Sequence, residues 1–334
     1  MADLQRYFEQ FNGTIRLAPF DENAELREKR DLLLTDLRAN LAANVPPFES
    51  FNQGSYAMST GTKPPDGNYD IDVGLLFKCD RSRYPDPLVL KRCVFDALVR
   101  PNRTVRIRRP CVTVEYIEDG RVAYHVDLAV YVERLDRLGL DLAVGREDTP
   151  PPQRQWAQND PKGLMDKIRT RFAAEEAAQM RRAIRYLKRW RDHCCQAEGP
   201  ISVALTVGAY HWFTPQLDLF THRPDDLAAL KQWVGAMLAQ FQPASALMQL
   251  RLVVPSPVIP YTDLLADLTV AQMNKLLERL QTLQGKLQQA SVEPLPERAC
   301  QILRSQFGPD FPVPTPGQTG KTVTAPYIHT GQSA

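Results

Sequence analysis

The hydrophobic pattern changes character part-way along the chain. Before residue 150, helical and strand-like segments are mixed, at 22–44, 70–78, 86–99, 111–117 and 121–132. An Asp-Gly pair joins the last two segments and predicts a β-hairpin. After three consecutive prolines, every periodic segment is helical, at 161–195, 225–242, 270–290 and 296–307. The pattern predicts an α+β fold whose second half is a helical lobe.

We predict three parts from these segments. Residues 1–150 form a mixed core with a long N-terminal helix, residues 151–307 form a helical domain, and residues 308–334 form a tail. The tail contains five prolines, four glycines and no periodic stretch, which predicts that it is mobile.

Composition excludes several classes of protein. The chain has 334 residues, is 43% hydrophobic and has a net charge of +2. It is therefore neither a disordered chain nor a strongly basic nucleic-acid coat. The longest mostly apolar stretch, 201–213, is too short to span a bilayer, so we expect a cytoplasmic protein. Six cysteines without a CxxC pair predict reduced thiols rather than a zinc site.

Acidic residues lie on two of the predicted strands. Asp70 and Asp72 are two positions apart and share one strand face. Asp127 lies in an otherwise apolar strand, where a lone carboxylate is costly unless it is paired or metal-bound. If the hairpin lies beside the first strand, the three carboxylates meet. They could then hold two magnesium ions about 4 Å apart.

A Gly-Ser pair precedes these acids. Gly54 would let the backbone approach a phosphate closely, and successive amides with the Ser55 hydroxyl would bind an anion. No GxxxxGK[ST] loop occurs, so the pair is not a Walker motif. The alternative is purely structural: a turn, a solvated strand end, and Asp127 paired to an arginine.

The order of these features resembles a known family. A helix is followed by Gln53-Gly54-Ser55-Tyr56, by Asp70-Ile71-Asp72-Val73-Gly74 and by His125-Val126-Asp127. This order is similar to that of polymerase-beta-like nucleotidyltransferases, and among them to the CD-NTases, bacterial relatives of cGAS. Three further segments resemble the dinucleotide-cyclising branch, namely Trp156 to Pro161, Arg185 to Asp192, and Gly199 to Ser202.

The resemblance implies a fold and a set of site residues. The fold would be a nucleotidyltransferase core with a mixed sheet and a long spine helix, facing an α-helical lobe across the active-site cleft. The metal-binding catalytic acids would be Asp70, Asp72 and Asp127. The nucleotide-binding residues would be Gln53, Gly54 and Ser55 from the core, and Lys188 and Ser202 from the helical side.

The resemblance also implies a function. The enzyme would use two Mg²⁺ ions to join ATP and GTP, or other triphosphates, into a cyclic dinucleotide of the cyclic GMP-AMP type. This messenger would reach an effector in antiphage (CBASS) defence, and a ubiquitin-transfer-like enzyme would act on the C-terminal tail. The alternatives are a linear-oligoadenylate or RNA-tailing transferase, or an inactive nucleotide-binding scaffold, although none of the three acids is lost.

One position departs from the family pattern. Cys111 stands where the resemblance predicts a base-reading arginine. Arg106, Arg108 and Arg109 lie just upstream and could replace it. The choice of nucleobase therefore stays open at this stage.

Overall fold

A computed structural model describes residues 3–17, 24–63, 69–101, 103–118, 121–195, 199–218, 221–244 and 249–315. The side chains at 25–26, 69–70, 118 and 121–123 lie outside the description. The helices are α1 Gln5–Ile15, α2 Ala24–Asn40, α3 Gly54–Ala57, α4 Pro87–Leu98, α5 Pro161–Thr170, α6 Ala174–Cys194, α7 Ser202–Trp212, α8 Asp226–Ala239, α9 Val270–Val292 and α10 Pro296–Phe307. The strands are β1 Phe48–Asn52, β2 Tyr69–Asp80, β3 Arg103–Ile107, β4 Val112–Glu118, β5 Arg121–Glu133, β6 Leu140–Val144, β7 Gln155–Asn159, β8 Gln242–Pro243 and β9 Leu250–Arg251.

The first lobe is built on a mixed sheet of seven strands. Its main path runs β1-β2-β5-β4-β3, and β6 joins β5 to β7. The central pair, β2 and β5, is parallel, whereas the other pairs are antiparallel. The predicted hairpin of β4 and β5 is confirmed, and so is the α+β class with a mixed sheet.

One face of this sheet is packed against α2 and α4. Alternate residues of β2 and β5 point into this core, and Val73, Val126 and Leu128 are fully buried there. Helix α4 begins where the sequence predicts, because the Asp86 carboxylate accepts a hydrogen bond from the Leu88 amide, 2.9 Å away. The candidate functional site lies on the other face of the sheet.

The second lobe is a helical bundle around the C-terminal half of α6. Its core includes Tyr186 and Trp190 of α6, both fully buried, and Trp233 of α8. Helix α1 belongs to this core as well, since Phe8 packs against Tyr186 with ring centroids 5.3 Å apart. The N-terminal segment therefore joins the second lobe, although it comes first in the chain.

The structure corrects several predicted elements. Helix α2 ends at Asn40 rather than at residue 44, and the helical pattern over 161–195 is split into α5 and α6. The expectation that everything after residue 150 is helical is wrong, because β7 completes the sheet.

Two elements pack with the lobe on the other side of the predicted domain division at residue 150. Strand β7 follows the division yet pairs with β6, and α1 precedes it yet packs in the helical lobe. The division into domains stays a prediction. Residues 316–334 of the predicted tail lie outside the described residues. Within the described part, we find no helix with the length and apolar character needed to cross a membrane.

Candidate functional site

Two of the predicted acids meet on the face of the sheet opposite α2 and α4. In the parallel pair, Asp72 of β2 lies directly opposite Asp127 of β5. Both are partly exposed, whereas Ile71 and Val126 beside them are buried on the other face. We call the side that carries Asp72 and Asp127 the acid face. Because neighbouring strands lie about 4.8 Å apart, two carboxylates project side by side from this face.

Asp70 belongs to the same strand but is described only in its backbone. It pairs with His125, one step before the pair of Asp72 and Asp127. The side chain of Asp70 lies outside the described residues. Among the side chains that are described, no group of three or more His, Cys, Asp or Glu is placed to hold a metal ion. The three-carboxylate site therefore stays a prediction.

The backbone at Gly54 lies against Asp72. Gly54 has φ of +68°, and a Cβ atom placed on it would lie 1.9 Å from Asp72 Oδ2. The amide of Gln53 also donates to the Asp72 carbonyl oxygen over 3.1 Å. The predicted phosphate-binding segment and the acid face are thus one continuous site, and only glycine fits at position 54.

The side chain of Gln53 is held by β5. The hydroxyl of Tyr131, a buried residue on the acid face, donates to Gln53 Oε1 over 3.0 Å. Burial raises the pKa of Tyr131, so its hydroxyl stays protonated and remains a donor. Since the amide oxygen is taken, the amide NH₂ of Gln53 is the end left to bind an anion.

Basic side chains of the helical lobe bind the chain segment 57–63, which begins at the last residue of α3. Arg169 donates to the Ala57 carbonyl, 2.8 Å away, and Arg185 to the Ser59 carbonyl, 2.6 Å away. Lys188 and Arg189 donate to the carbonyls of Thr60 and Lys63, at 3.0 and 2.7 Å. Four cations therefore tie the segment that follows the predicted phosphate-binding residues to α5 and α6.

The ammonium of Lys188 is enclosed by this contact. Lys188 is 3% exposed, and its Nζ donates to both the carbonyl and the hydroxyl oxygen of Thr60. Burial lowers the pKa of Lys188 to about 7, aided by the charges of Arg191 and Arg185 and opposed by that of Asp72. The structure thus places the Lys188 ammonium against Thr60, while its proposed contact with phosphate stays a prediction.

Replacing Lys188 by Met should change how stability depends on pH. Between pH 7 and the ordinary lysine pKa of 10.5, the unfolded chain holds a proton that folded Lys188 lacks, so stability due to Lys188 rises with pH. We therefore compare the free energy of unfolding of Lys188→Met minus that of the wild type at two pH values. We expect this difference to be roughly 1–2 kcal/mol higher at pH 6.5 than at pH 8.5. Urea denaturation at both pH values measures this difference. The exposed Lys167→Met is the control, and an equal difference at both pH values for Lys188→Met would contradict the assignment.

Ser202 lies at the start of α7, close to the end of α6. Its Oγ accepts a hydrogen bond from Arg191, which lies one turn after Lys188 on α6. The structure therefore brings Ser202 and Lys188 to the same end of α6 through Arg191. A role for Ser202 in binding phosphate stays a prediction.

The position expected to read a base is not available for that role. Cys111 is 5% exposed, and burial, with the charge of Asp127, raises the pKa of its thiol to about 12. Of the arginines upstream, Arg106 and Arg108 both pair with Glu115 of β4, each over 3.3 Å. These two guanidinium groups are more than half exposed beside the acid face.

Sequence reasoning missed several residues that shape the site. Thr113 donates to Asp127, and Tyr131 donates to Gln53. Tyr131 and Asp127 share a face by strand alternation, so the signal for Tyr131 was present in the sequence. The arginines that bind the 57–63 segment gave no signal of this kind, because their partners are remote in the chain. The pairing of Thr113 with Asp127 depends on a register shift in the hairpin between Tyr116 and Ile117, which the sequence pattern does not show.

Comparison with known proteins agrees with this geometry. Residues 48–131 match the family model described as the nucleotidyltransferase domain of cyclic GMP-AMP synthase DncV-like proteins. This segment is similar to a DncV-like nucleotidyltransferase domain. The match begins at β1 and ends in β5, so it includes both acids and the Gln53–Ser55 segment. The predicted resemblance to the CD-NTase family is confirmed.

Solved structures extend the likeness to nearly the whole chain. Vibrio cholerae DncV cyclic AMP-GMP synthase, in complex with the linear intermediate 5′ pppA(3′,5′)pG, is 16% identical, with a TM-score of 0.71 over 93% of this chain and 96% of that chain. Bradyrhizobium diazoefficiens CD-NTase CdnG, in complex with GTP, is 19% identical, with a TM-score of 0.70 over 92% and 96%. The predicted nucleotidyltransferase fold with a helical second lobe is thereby confirmed.

Proposed function

We propose that this protein joins two nucleoside triphosphates into a cyclic dinucleotide, of the cyclic GMP-AMP type, and releases pyrophosphate. The observation that carries the proposal is the pairing of Asp72 with Asp127 across β2 and β5, with the Gly54 backbone against Asp72. The likeness to DncV with its linear intermediate and to CdnG with GTP supports the substrate class.

The proposed reaction is the same in both steps. A ribose hydroxyl oxygen bonds to the α-phosphorus of a triphosphate, and the bond from that phosphorus to the bridging oxygen breaks. The bonding electrons leave with pyrophosphate, and the hydroxyl proton passes to Asp127, which we assign as the residue nearest the attacking group. Gln53, Gly54 and Ser55 would hold the donor triphosphate, and Lys188 and Ser202 would bind phosphates from the helical side.

The acid face suits a divalent cation. Asp72 and Asp127 supply oxygen ligands of the kind Mg²⁺ prefers, and Asp70 is the third ligand that we propose. Two bound Mg²⁺ ions would supply the positive charge that offsets the charges of the carboxylates and of the triphosphate. The part of this chain is to hold its carboxylates together and to align the reactants.

The deciding experiment is incubation of the purified protein with all four labelled triphosphates and Mg²⁺, with the products resolved by mass spectrometry. We expect a cyclic dinucleotide and pyrophosphate. A linear oligoadenylate, or elongation of added RNA with no product from triphosphates alone, would support the alternative transferase activities instead. Binding of triphosphate with no product under any condition would support an inactive scaffold.

We further propose that the product is a messenger in cytoplasmic antiphage defence, acting on a downstream effector, and that a ubiquitin-transfer-like enzyme conjugates the C-terminal tail. The base of the tail is anchored, because Phe311 is fully buried against Phe8, with ring centroids 5.2 Å apart. A truncation after residue 317 keeps this anchor.

Deleting residues 318–334 should therefore leave triphosphate turnover unchanged and abolish conjugation. The first effect is measured by product formation and the second by the intact mass of the protein after incubation with the transfer enzyme. Loss of turnover in the truncated protein alone would show that the tail is part of the folded enzyme.

A further inference from the structure

The buried Thr113 hydroxyl contacts Asp127 on the side away from Asp72. Thr113 of β4 lies directly opposite Asp127 in the antiparallel β4–β5 pair, and Asp72 lies opposite Asp127 on β2. Thr113 is 5% exposed, and its Oγ1 lies 2.5 Å from Asp127 Oδ1. Asp127 therefore stands between a carboxylate on one strand and a hydroxyl on the other.

The direction of this hydrogen bond follows from the groups involved. An ionised carboxylate only accepts, so the single proton of the Thr113 hydroxyl points to Asp127. The Sγ of buried Cys111 lies 3.6 Å from Thr113 Oγ1. The Cys111 thiol also forms a hydrogen bond with Asp127. Cys111, Thr113 and Asp127 thus form one hydrogen-bonded cluster.

The carboxylate of Asp127 needs such a restraint. Two adjacent carboxylates repel each other, which favours rotation of either side chain away from its partner. A hydrogen bond from a hydroxyl to a carboxylate is short and strong, and it opposes this rotation. Threonine is suited to the task because its branched Cβ restricts χ1. In addition, its methyl group and backbone are buried in the sheet.

We propose that Thr113 is a positioning residue, whose hydroxyl holds the Asp127 carboxylate in the orientation required for metal binding and for attack on the α-phosphate. The proposal rests on the proposed function for its kinetic consequence. Its structural consequence, a weaker metal site without the hydroxyl, does not require turnover. Thr113 itself touches no substrate in this assignment.

The test compares Thr113→Val, which removes the hydroxyl but keeps the shape, with Thr113→Ser, which keeps the hydroxyl. Thr104→Val is the matched control, because Thr104 lies on β3 opposite Glu115 rather than Asp127. For each protein we measure kcat, KM for each triphosphate, and the affinity for Mn²⁺ without nucleotide by the loss of the free-ion EPR signal. Thermal melting reports on folding.

We expect Thr113→Val to lower kcat by about 10- to 100-fold, the equivalent of one hydrogen bond to a charged group, with little change in KM. We expect its Mn²⁺ affinity to fall as well. Thr113→Ser should restore both, and Thr104→Val should behave as wild type. A merely structural role would lower the melting temperature without this split between kcat and KM.

Several outcomes would overturn the proposal. Wild-type kcat and Mn²⁺ affinity in Thr113→Val would do so, and so would equal losses in the Val and Ser variants. If Thr113→Val fails to fold, Thr113→Ala takes its place with the same measurements. If the wild-type protein makes no product from triphosphates, the proposed function fails, whereas Mn²⁺ affinity still decides the role of Thr113.

Discussion

Asp72→Asn and Asp127→Asn should each reduce triphosphate turnover by about 1,000-fold or more, because each removes a charge that supports several kcal/mol of transition-state stabilisation. The fold should survive both changes. The two side chains are partly exposed, while the residues on the opposite side of β2 and β5 form the core. Removing one of two adjacent like charges should leave the melting temperature equal or slightly higher.

Product formation by mass spectrometry and thermal melting measure the two effects. Glu49→Gln is the control, since Glu49 is an exposed carboxylate on the neighbouring strand β1, paired with Lys78, and its loss should leave turnover unchanged. The double variant Asp70→Asn with Asp72→Asn tests the third predicted ligand in the same assay. Near-normal turnover in the Asp72 or Asp127 variant would remove the assignment of the catalytic acids.

Gly54→Ala should abolish measurable turnover and also destabilise the protein. The new methyl group would lie 1.9 Å from Asp72 Oδ2 and 2.6 Å from Asp72 Cγ, so the backbone or the Asp72 carboxylate must move. The positive φ at this position adds about 1–2 kcal/mol of strain for any residue with a Cβ atom. A displacement of about 1 Å at a reacting group is enough to lower a rate about 100-fold.

Gly285→Ala provides a matched comparison. Gly285 lies within α9, and a Cβ atom there has nothing within 4 Å. The same substitution should therefore stabilise the protein by about 1 kcal/mol, since alanine favours a helix, and leave turnover unchanged. Urea denaturation and kcat measure both variants. An active Gly54→Ala enzyme would show that the 54–55 backbone is not held against Asp72 during catalysis.

The basic residues of α6 include Lys188, which the family resemblance implies as a phosphate ligand. In the fold, Arg185, Lys188 and Arg189 donate to carbonyl oxygens of the 57–63 segment. These cations therefore hold the segment that follows the proposed phosphate-binding residues Gln53, Gly54 and Ser55. A contact of Lys188 with phosphate stays a proposal.

Local patterns in the sequence determined much of the core and both described acids of the site. Alternation with a period of two places Asp72 on one side of β2, with Ile71 and Val73 on the other, whatever strand lies beside it. The Asp-Gly turn and its flanking strands predicted the β4–β5 hairpin, and the helical period over 270–290 predicted α9, which begins with a capping box of Thr269 and Gln272. These features depend on near neighbours in the chain, so sequence alone was sufficient.

Tertiary structure decided what depends on partners distant in the chain. The parallel register sets Asp127 opposite Asp72 rather than Asp70, and nothing in either strand specifies that choice. The short strands β1, β3, β6 and β7 carry too few residues to show a period, and they form because neighbouring strands supply their hydrogen bonds. Helix α1 joins the helical lobe for a similar reason, because only the folded lobe offers an apolar surface for Phe8 and Phe11.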